Sequence, residues 1–300
     1  MKVVIAGGTG LVGIRLQQLL LKENAEITVL TTRTLQTQTD ERIRYVKWMN
    51  GEQPEHLLEG TDIFIKLAGV SLNAGRWTAK QKEKIESSRT DTTQEMIRIM
   101  KALEKKPDVF INASAVGIYE PSPSQIYSEQ SATKSHDFLS DVVSKWEAEA
   151  MKANELGIRT CLMRFGVILE KDAGALPLML LPYQLFIGGT IGSGKQWVSW
   201  IHAEDAARAI LHAIEFEELS GPINAVSPNA KRMRDFGKTI GKTFSRPHYM
   251  PVPSFALKTV LGEKSILILE GQYVVPEKLL QTNFMFKFAS LENALLDLYN

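Results

Sequence analysis

The sequence predicts an α/β protein: a doubly wound parallel sheet with helices on both faces, followed by a smaller C-terminal lobe. Three observations carry this. The chain opens with a short apolar run, Val3-Val4-Ile5-Ala6, that meets the glycine-rich stretch Gly7-Gly8-Thr9-Gly10-Leu11-Val12-Gly13 and then an amphipathic segment, which is the order strand, turn, helix. Apolar runs and amphipathic segments then alternate through the first 165 residues, the pattern of successive βα units. Beyond residue 165 the alternation loosens, which places residues 166–300 mainly in the second lobe, with segments from about 196–227 returning to the large sheet.

The elements follow in order. After the glycine turn, Ile14 to Leu21 reads as a helix and Glu26 to Leu30 as the second strand, completing a βαβ half. Thr32 to Arg42 is polar and reads as loop, Arg44 to Trp48 as a third strand, and Pro54 to Leu58 as a short helix. Asp62 to Leu67 is the next strand. It runs into Ala68-Gly69, small residues that let a ligand lie against the backbone at a strand's carboxyl end. Ile85, Met96, Ile99, Met100 and Leu103 give Thr78 to Lys105 a helical apolar stripe that Pro107 ends. Val109 to Ala113 is a strand ending in Ser114, Phe138 to Leu156 a helix, and Arg159 to Phe165 a strand. In the remainder, Gln196 to Ile201 and Pro222 to Val226 read as strands, and Glu204 to Phe216 and Arg234 to Thr243 as helices. Phe255 to Leu261, Glu277 to Thr282 and Leu291 to Leu298 read as short amphipathic pieces. The tract from Ala173 to Gly189 is apolar but broken by Pro177, Pro182 and Gln184, so it reads as a lid or packing segment.

The glycine turn carries the first functional expectation. Its spacing is G-x-x-G-x-x-G on Gly7, Gly10 and Gly13. Gly7 would make the tight turn, Gly10 would admit a pyrophosphate, and Gly13 would let the helix pack on the strand. The helix N-terminus supplies unpaired N–H groups for the anion, which assigns Thr9, Leu11 and Val12 to the same cradle. About twenty residues on, an acidic side chain would hold the ribose of NAD. This chain has Thr31-Thr32-Arg33 there, and an arginine fork suits a 2′-phosphate, so the expected cofactor is NADP, with Thr32 and Arg33 at its adenosine end. Leu67, Ala68 and Gly69 would line its middle, and Arg89, on the following helix, is a candidate phosphate contact against the alternative of a plain surface arginine.

Composition sets the outer limits. The chain has 300 residues, is 44% hydrophobic and 23% charged, and carries a formal charge of +1, which gives no general case for nucleic acid or an acidic membrane surface. Lys2 leads straight into the first strand without a secretory pattern, so the expected location is cytoplasmic. Cys161, the single cysteine, lies in an apolar strand and reads as core. Five scattered histidines without ligand spacing predict no metal. Gly189 to Lys195 fits the first seven positions of a phosphate-binding P-loop, but Gln196 replaces the metal-binding hydroxyl residue and a strand follows, which argues against a nucleotide triphosphatase. His202 and Asp205, spaced i,i+3, read as a dyad, a metal pair or a helix-start segment. No Gly-x-Ser-x-Gly turn supports a hydrolase.

Taken together, the glycine turn, Leu67-Ala68-Gly69, the strand end Ser114-Ala115-Val116-Gly117-Ile118-Tyr119, Ser144-Lys145, and Trp200-Ile201-His202-Ala203-Glu204-Asp205 resemble an extended short-chain dehydrogenase/reductase. The match is closer to the atypical branch described as nucleoside-diphosphate-sugar epimerase-like, to which Arg76-Trp77, Lys82 to Arg89, Gly188 to Gly194 and Leu269-Glu270-Gly271-Gln272 also point. The resemblance covers nearly the whole chain and implies a Rossmann sheet with a substrate-side C-terminal lobe. It further implies an NADP-binding oxidoreductase or epimerase that transfers hydride on a small polar substrate, a sugar nucleotide being one candidate, and a monomer or homodimer. In that superfamily a serine orients the substrate hydroxyl, a tyrosine moves its proton, and a lysine four residues later holds the nicotinamide ribose. Ser114 and Lys145 match, and Arg164 and Gly166 end the sixth strand, near where similar proteins pass the nicotinamide. The tyrosine position, however, is Asp141, a group ionised at neutral pH with an ordinary pKa of about 3.9 and suited to an i,i+4 pair with Lys145. Tyr119 is then the nearest replacement acid/base, against the alternative of an aromatic pocket wall. In the sugar-nucleotide reading Lys195 and its glycines would meet the diphosphate. The same departure at Asp141 keeps open a second class, an NADP-binding sensor or interaction protein without turnover.

Overall fold

A computed structural model describes residues 1–33 and 40–299, so the loop expected over Thr32 to Arg42 lies partly outside the described residues. Its centre is a seven-stranded sheet built from β1 (Lys2–Ala6), β2 (Glu26–Thr31), β3 (Ile43–Lys47), β4 (Ile63–Lys66), β5 (Val109–Ala115), β6 (Arg159–Phe165) and β7 (Gly221–Ala225). The spatial order is β3-β2-β1-β4-β5-β6-β7 and every neighbouring pair is parallel. The longer helices are α1 (Leu11–Lys22), α2 (Ala79–Ala102), α3 (Phe138–Met151), α4 (Leu176–Gln184), α5 (Ala203–Glu215), α6 (Met233–Thr243) and α7 (Leu291–Tyr299).

Strand periodicity explains the two faces. In β1, Val3 and Ile5 point to one side with Ile27, Val29, Ile65 and Ile111, where α1 and α5 cover them with Leu16, Leu20, Ala206 and Ile210. Val4 and Ala6 point the other way with Phe64, Phe110 and Leu162, under Met96, Ile99 and Met100 of α2 and Ala150 of α3. Strands buried on both faces read as continuous apolar runs, which is why they were visible in the sequence. Cys161 belongs to the first layer, fully buried, and burial pushes its thiol pKa up to about 11. A separate core joins α4, α6 and α7 through Leu176, Leu180, Trp200, Phe236, Ile240, Leu291 and Leu295. Among the described residues no helix is long and apolar enough to cross a membrane.

The stretch predicted as one strand from Gln196 to Ile201 is two. Trp197–Val198 pairs antiparallel with Lys231–Arg232, and Trp200–His202 pairs parallel with Val167–Leu169. Between them Ser199 turns its polar groups to other partners, its carbonyl accepting from Val167 N–H and its hydroxyl donating to Gln272 O. Neither piece joins the large sheet, whereas the later segment does, as edge strand β7. Strand order reverses between β1 and β4, and ligand crevices open at the carboxyl ends of such a pair.

Candidate functional site

The crevice wall on the β1 side is the glycine turn. Gly7 has φ +89°, and a Cβ there would lie 2.6 Å from Ala68 N, so the turn can rest against the β4 end only without a side chain. A Cβ on Gly13 would meet Gly7 O at 2.4 Å and Gly8 O at 2.6 Å, which is the close helix–strand approach expected of it. Gly10 differs. It is exposed, its missing Cβ would contact only Gly7 O at 3.2 Å, and it caps α1 with no side-chain hydrogen bond to the first turn. An uncapped helix start behind an open glycine is where an anion's oxygens fit. Thr9 is exposed beside it, Leu11 is half-buried and Val12 buried.

The opposite wall is Leu67-Ala68-Gly69. Beneath it lies Arg89, whose guanidinium donates to Ile85 O and Val70 O and would stand 3.5 Å from a Cβ on Gly69. Burial lowers its pKa to about 10, an unusual state for a residue that sequence alone allows to be a surface charge. Lys66, not anticipated from sequence, ends β4 fully buried. Its amine donates to Arg89 O at 3.1 Å and lies 4.5 Å from the Trp146 ring centroid, and desolvation pushes its pKa well below the usual lysine value. At the end of β2, Thr32 and Arg33 are exposed, with Arg33 N–H donating to Thr31 Oγ1.

The second half of the site is a polar row across the next three strands. Ser114 on β5, Arg164 on β6 and Asn224 on β7 are register partners, side by side on one sheet face. All three are buried, and Glu147 from α3 reaches down to them. Ser114 Oγ donates to Glu147 Oε1 at 2.5 Å, while Arg164 holds the same carboxylate by Nε to Oε1 at 2.8 Å and Nη2 to Oε2 at 2.7 Å. Arg164 Nη1 continues to Tyr119 Oη at 2.8 Å, and that hydroxyl faces two acceptors, Asn224 Oδ1 at 2.9 Å and Ser128 O at 3.1 Å. Asn224 N–H in turn donates to Glu129, which also accepts from Glu277 and Lys278 N–H. Tyr119 is 1% exposed, and burial raises its pKa. Its single hydrogen therefore faces protein acceptors. Glu147, Arg164, Asn224 and Glu129 were not assembled from sequence. The signals were a Glu two residues past Lys145 and polar residues closing three apolar strands.

Lys145 stands outside this row. Its amine pairs with Glu86 on α2 at 2.7 Å and is more than half exposed, and Glu86 raises its pKa. The predicted pair with Asp141 is not the one formed: Asp141 instead takes the Ser135 hydroxyl. The structure therefore joins Ser114 and Tyr119 through Glu147 and Arg164, without Lys145. Gly166 has a packing reason of its own, since a Cβ there would lie 2.4 Å from Ser199 O.

Two further segments carry clusters of polar groups. The loop from Gly189 to Lys195 is pressed on the C-terminal segment, with Gly189 against Met250 and Ile191 bridged to Val252. A cavity of about 250 Å³ beside it is lined by Pro123, Gly194, Lys195, Arg232, Arg234 and Asp235, three cations against one acid. His202 is a helix cap: its Nδ1 accepts from Glu204 N–H at 3.1 Å. That bond leaves the neutral ring's proton on Nε2, 3.4 Å from Asp297 Oδ2. His202, Glu204 and Asp297 lie close enough to share an ion, yet the cap removes the Nε2 lone pair that a metal would need. Asp205 accepts from Lys287 and Phe288 N–H and so fastens the C-terminal segment to α5.

Comparison with known proteins agrees with this geometry. Residues 3–225 match the model of the NAD dependent epimerase/dehydratase family, and residues 252–298 match a domain of unknown function, DUF1731. The chain is 44% identical over 299 residues to the epimerase family protein YfhF of Bacillus subtilis, covering 99% of this chain and 98% of that one. Among solved structures it is similar to human epimerase family protein SDR39U1 with NADPH, at TM-score 0.87, 30% identity and 99% coverage of both chains. It is also similar to the nucleoside-diphosphate sugar epimerase from Corynebacterium glutamicum, at TM-score 0.78 and 29% identity, covering 98% of this chain and 57% of that chain. A glycine turn at the switch point of a parallel sheet, matched over most of the chain by that model, makes this protein a member of the NAD dependent epimerase/dehydratase family.

Proposed function

We propose that the protein is an NADP-dependent oxidoreductase or epimerase acting on a small polar, anionic substrate. The observation that carries the reading is the uncapped start of α1 behind Gly10 in the β1–β4 crevice, with Ser114 two strands away at the carboxyl end of β5. Gly7, Thr9, Gly10, Leu11, Val12 and Gly13 would hold the cofactor's diphosphate, and Leu67, Ala68, Gly69 and Arg89 its middle. Thr32 and Arg33 would take the 2′-phosphate, a preference also suggested by the NADPH in the human relative's structure. When bound, the cofactor supplies hydride acceptance and donation. Lys145 would bind the nicotinamide ribose after leaving Glu86, an exchange that costs little because exposed ion pairs contribute only about 0–1 kcal/mol. Ser114 would orient the reacting oxygen, and Tyr119 would anchor Arg164 rather than move protons. The Lys195, Arg232 and Arg234 cavity supports an anionic substrate, for which a sugar nucleotide is the first class to test.

The alternative, a cofactor-binding sensor without turnover, is favoured by Asp141 at the tyrosine position and by the sealed Tyr119 hydroxyl. One experiment separates the two. NADPH binding is titrated by fluorescence, and turnover is followed by absorbance for net oxidation or reduction and by chromatography of the sugar nucleotides for epimerisation, with a panel of sugar nucleotides, simple carbonyls and the matching alcohols, for wild type and Ser114→Ala. Tight NADPH binding with turnover lost in Ser114→Ala supports the enzyme. Binding without turnover by wild type across the panel supports the sensor, and absence of NADPH binding overturns both.

A further inference from the structure

The Ser114 hydrogen bond has a direction, and the direction has chemical content. A carboxylate held by two guanidinium N–H groups is an acceptor, so the hydrogen between Ser114 Oγ and Glu147 Oε1 belongs to the serine. A serine hydroxyl has one hydrogen and two lone pairs. With its hydrogen committed to Glu147, Ser114 can offer a ligand only lone pairs, and can therefore receive a hydroxyl but not donate to a carbonyl in this state. Tyr119 is in a similar position, but its hydrogen faces an amide and a peptide carbonyl, neither of which takes up a proton at neutral pH. Behind Ser114 alone stands a carboxylate. Arg164 and Glu147 are 4% and 8% exposed, and Ser114 is the register neighbour of Arg164 at the strand end.

We infer that Glu147, acting through Ser114, is the proton acceptor for the reacting hydroxyl, in place of the tyrosine missing at position 141. This rests on the oxidoreductase reading above. In oxidation of an alcohol, the substrate O–H bond breaks and its proton passes to Ser114 Oγ, while the serine's own proton passes to Glu147 Oε1. The substrate C–H electron pair leaves as hydride to the oxidised dinucleotide, and the C–O bond becomes C=O. The serine ends unchanged and Glu147 ends neutral. In reduction, the proton that Glu147 received in a preceding oxidation returns through Ser114 to the carbonyl oxygen. An epimerisation would use both directions in turn. Glu147 is thus a positioning and relay residue, and Ser114 is the catalytic group that touches substrate.

Two measurements test this. The first needs no substrate: a short hydroxyl–carboxylate bond gives a proton resonance downfield of the amide envelope, expected in wild type and absent from both Ser114→Ala and Glu147→Gln. The second uses NADP⁺ and the panel alcohol or sugar nucleotide that wild type turns over. Glu147→Gln keeps the side-chain shape and an acceptor oxygen but cannot receive a proton, so kcat is expected to fall about 10²–10⁴-fold with KM within a few-fold, the scale of general acid–base catalysis. Glu147→Asp is expected to restore part of the loss and its pH dependence. If Glu147→Gln does not fold, Glu147→Asp carries the comparison: moving the carboxylate back by one methylene is expected to lower kcat and change its pH dependence with KM within a few-fold, and a kcat–pH profile equal to wild type overturns the relay. A missing resonance in wild type, or kcat within about threefold in Glu147→Gln, overturns the relay. NADPH binding without wild-type turnover overturns the oxidoreductase reading and the relay with it, and a persisting resonance then marks a structural hydrogen bond only.

Discussion

Lys145 and Glu147 are two residues apart on α3, and their environments are opposite. Glu147 meets Arg164 with side chains 10% and 5% exposed, whereas Lys145 meets Glu86 with side chains 57% and 33% exposed. The first pair lies inside the row that fixes Ser114, and the second lies on the rim. Removing one partner of a buried pair strands a charge in a poor solvent, while an exposed partner is replaced by water. The difference divides the site into a rigid half across β5–β7 and an adaptable half around the crevice.

The strongest way to break that division is to remove Arg164. Arg164→Met leaves the Glu147 carboxylate buried and unpaired and is expected to cost about 3–5 kcal/mol in urea unfolding. Arg164→Met combined with Glu147→Leu should recover much of that loss, because the uncompensated charge goes with its partner. A single variant as stable as wild type would show that the pair is not the support of the row.

Gly13 tests whether the crevice half has a rigid member of its own. A Cβ placed 2.4–2.7 Å from the Gly7 and Gly8 backbone cannot be accommodated by a rotamer change. Gly13→Ala is therefore expected to cost about 1–3 kcal/mol, the usual range for overpacking, and to weaken NADPH binding alongside. Gly10→Ala meets only one atom at 3.2 Å, so it should spare stability and reduce NADPH affinity alone. Equal stability losses in the two variants would remove the distinction between a packing glycine and a ligand-facing one.

These cases also show what the sequence could and could not disclose. The strands, the glycine turn and Ser114 were legible because each is local: an apolar run, a spacing of three, a polar residue ending a strand. The row was not, because Glu147, Arg164, Asn224 and Glu129 meet only once β5, β6 and β7 stand in register. Lys66 was hidden for a related reason, since nothing in a four-residue strand tells that its last side chain is covered by Trp146 and Arg89. The Asp141–Lys145 pair was a reasonable helix expectation, and it lost to Glu86 on a neighbouring helix, a competitor that i,i+4 spacing cannot see.

On the adaptable side, Arg33→Ala addresses cofactor choice. Loss of a charge-assisted contact to a 2′-phosphate should weaken NADPH about tenfold or more, near the 1.5–3 kcal/mol of such bonds, and leave NADH unchanged. If both cofactors weaken equally, Arg33 is not reading the phosphate.

The smallest expected effect belongs to the exposed pair. Glu86→Ala should change stability by less than about 1 kcal/mol, since both side chains keep solvent access. Lys145 has its pKa raised by Glu86, so whatever the pair contributes is present below the unfolded lysine value and is lost only as pH rises through the folded one. Stability between pH 6 and 9 should accordingly be the same function of pH in wild type and Glu86→Ala. NADPH affinity should not be: releasing Lys145 from Glu86 removes a competitor for the ribose, so Glu86→Ala should bind the cofactor at least as tightly as wild type while Lys145→Ala binds it less well. A loss of affinity in Glu86→Ala equal to that in Lys145→Ala would mean that the two act as one fixed pair, and the rim would then belong to the rigid half of the site.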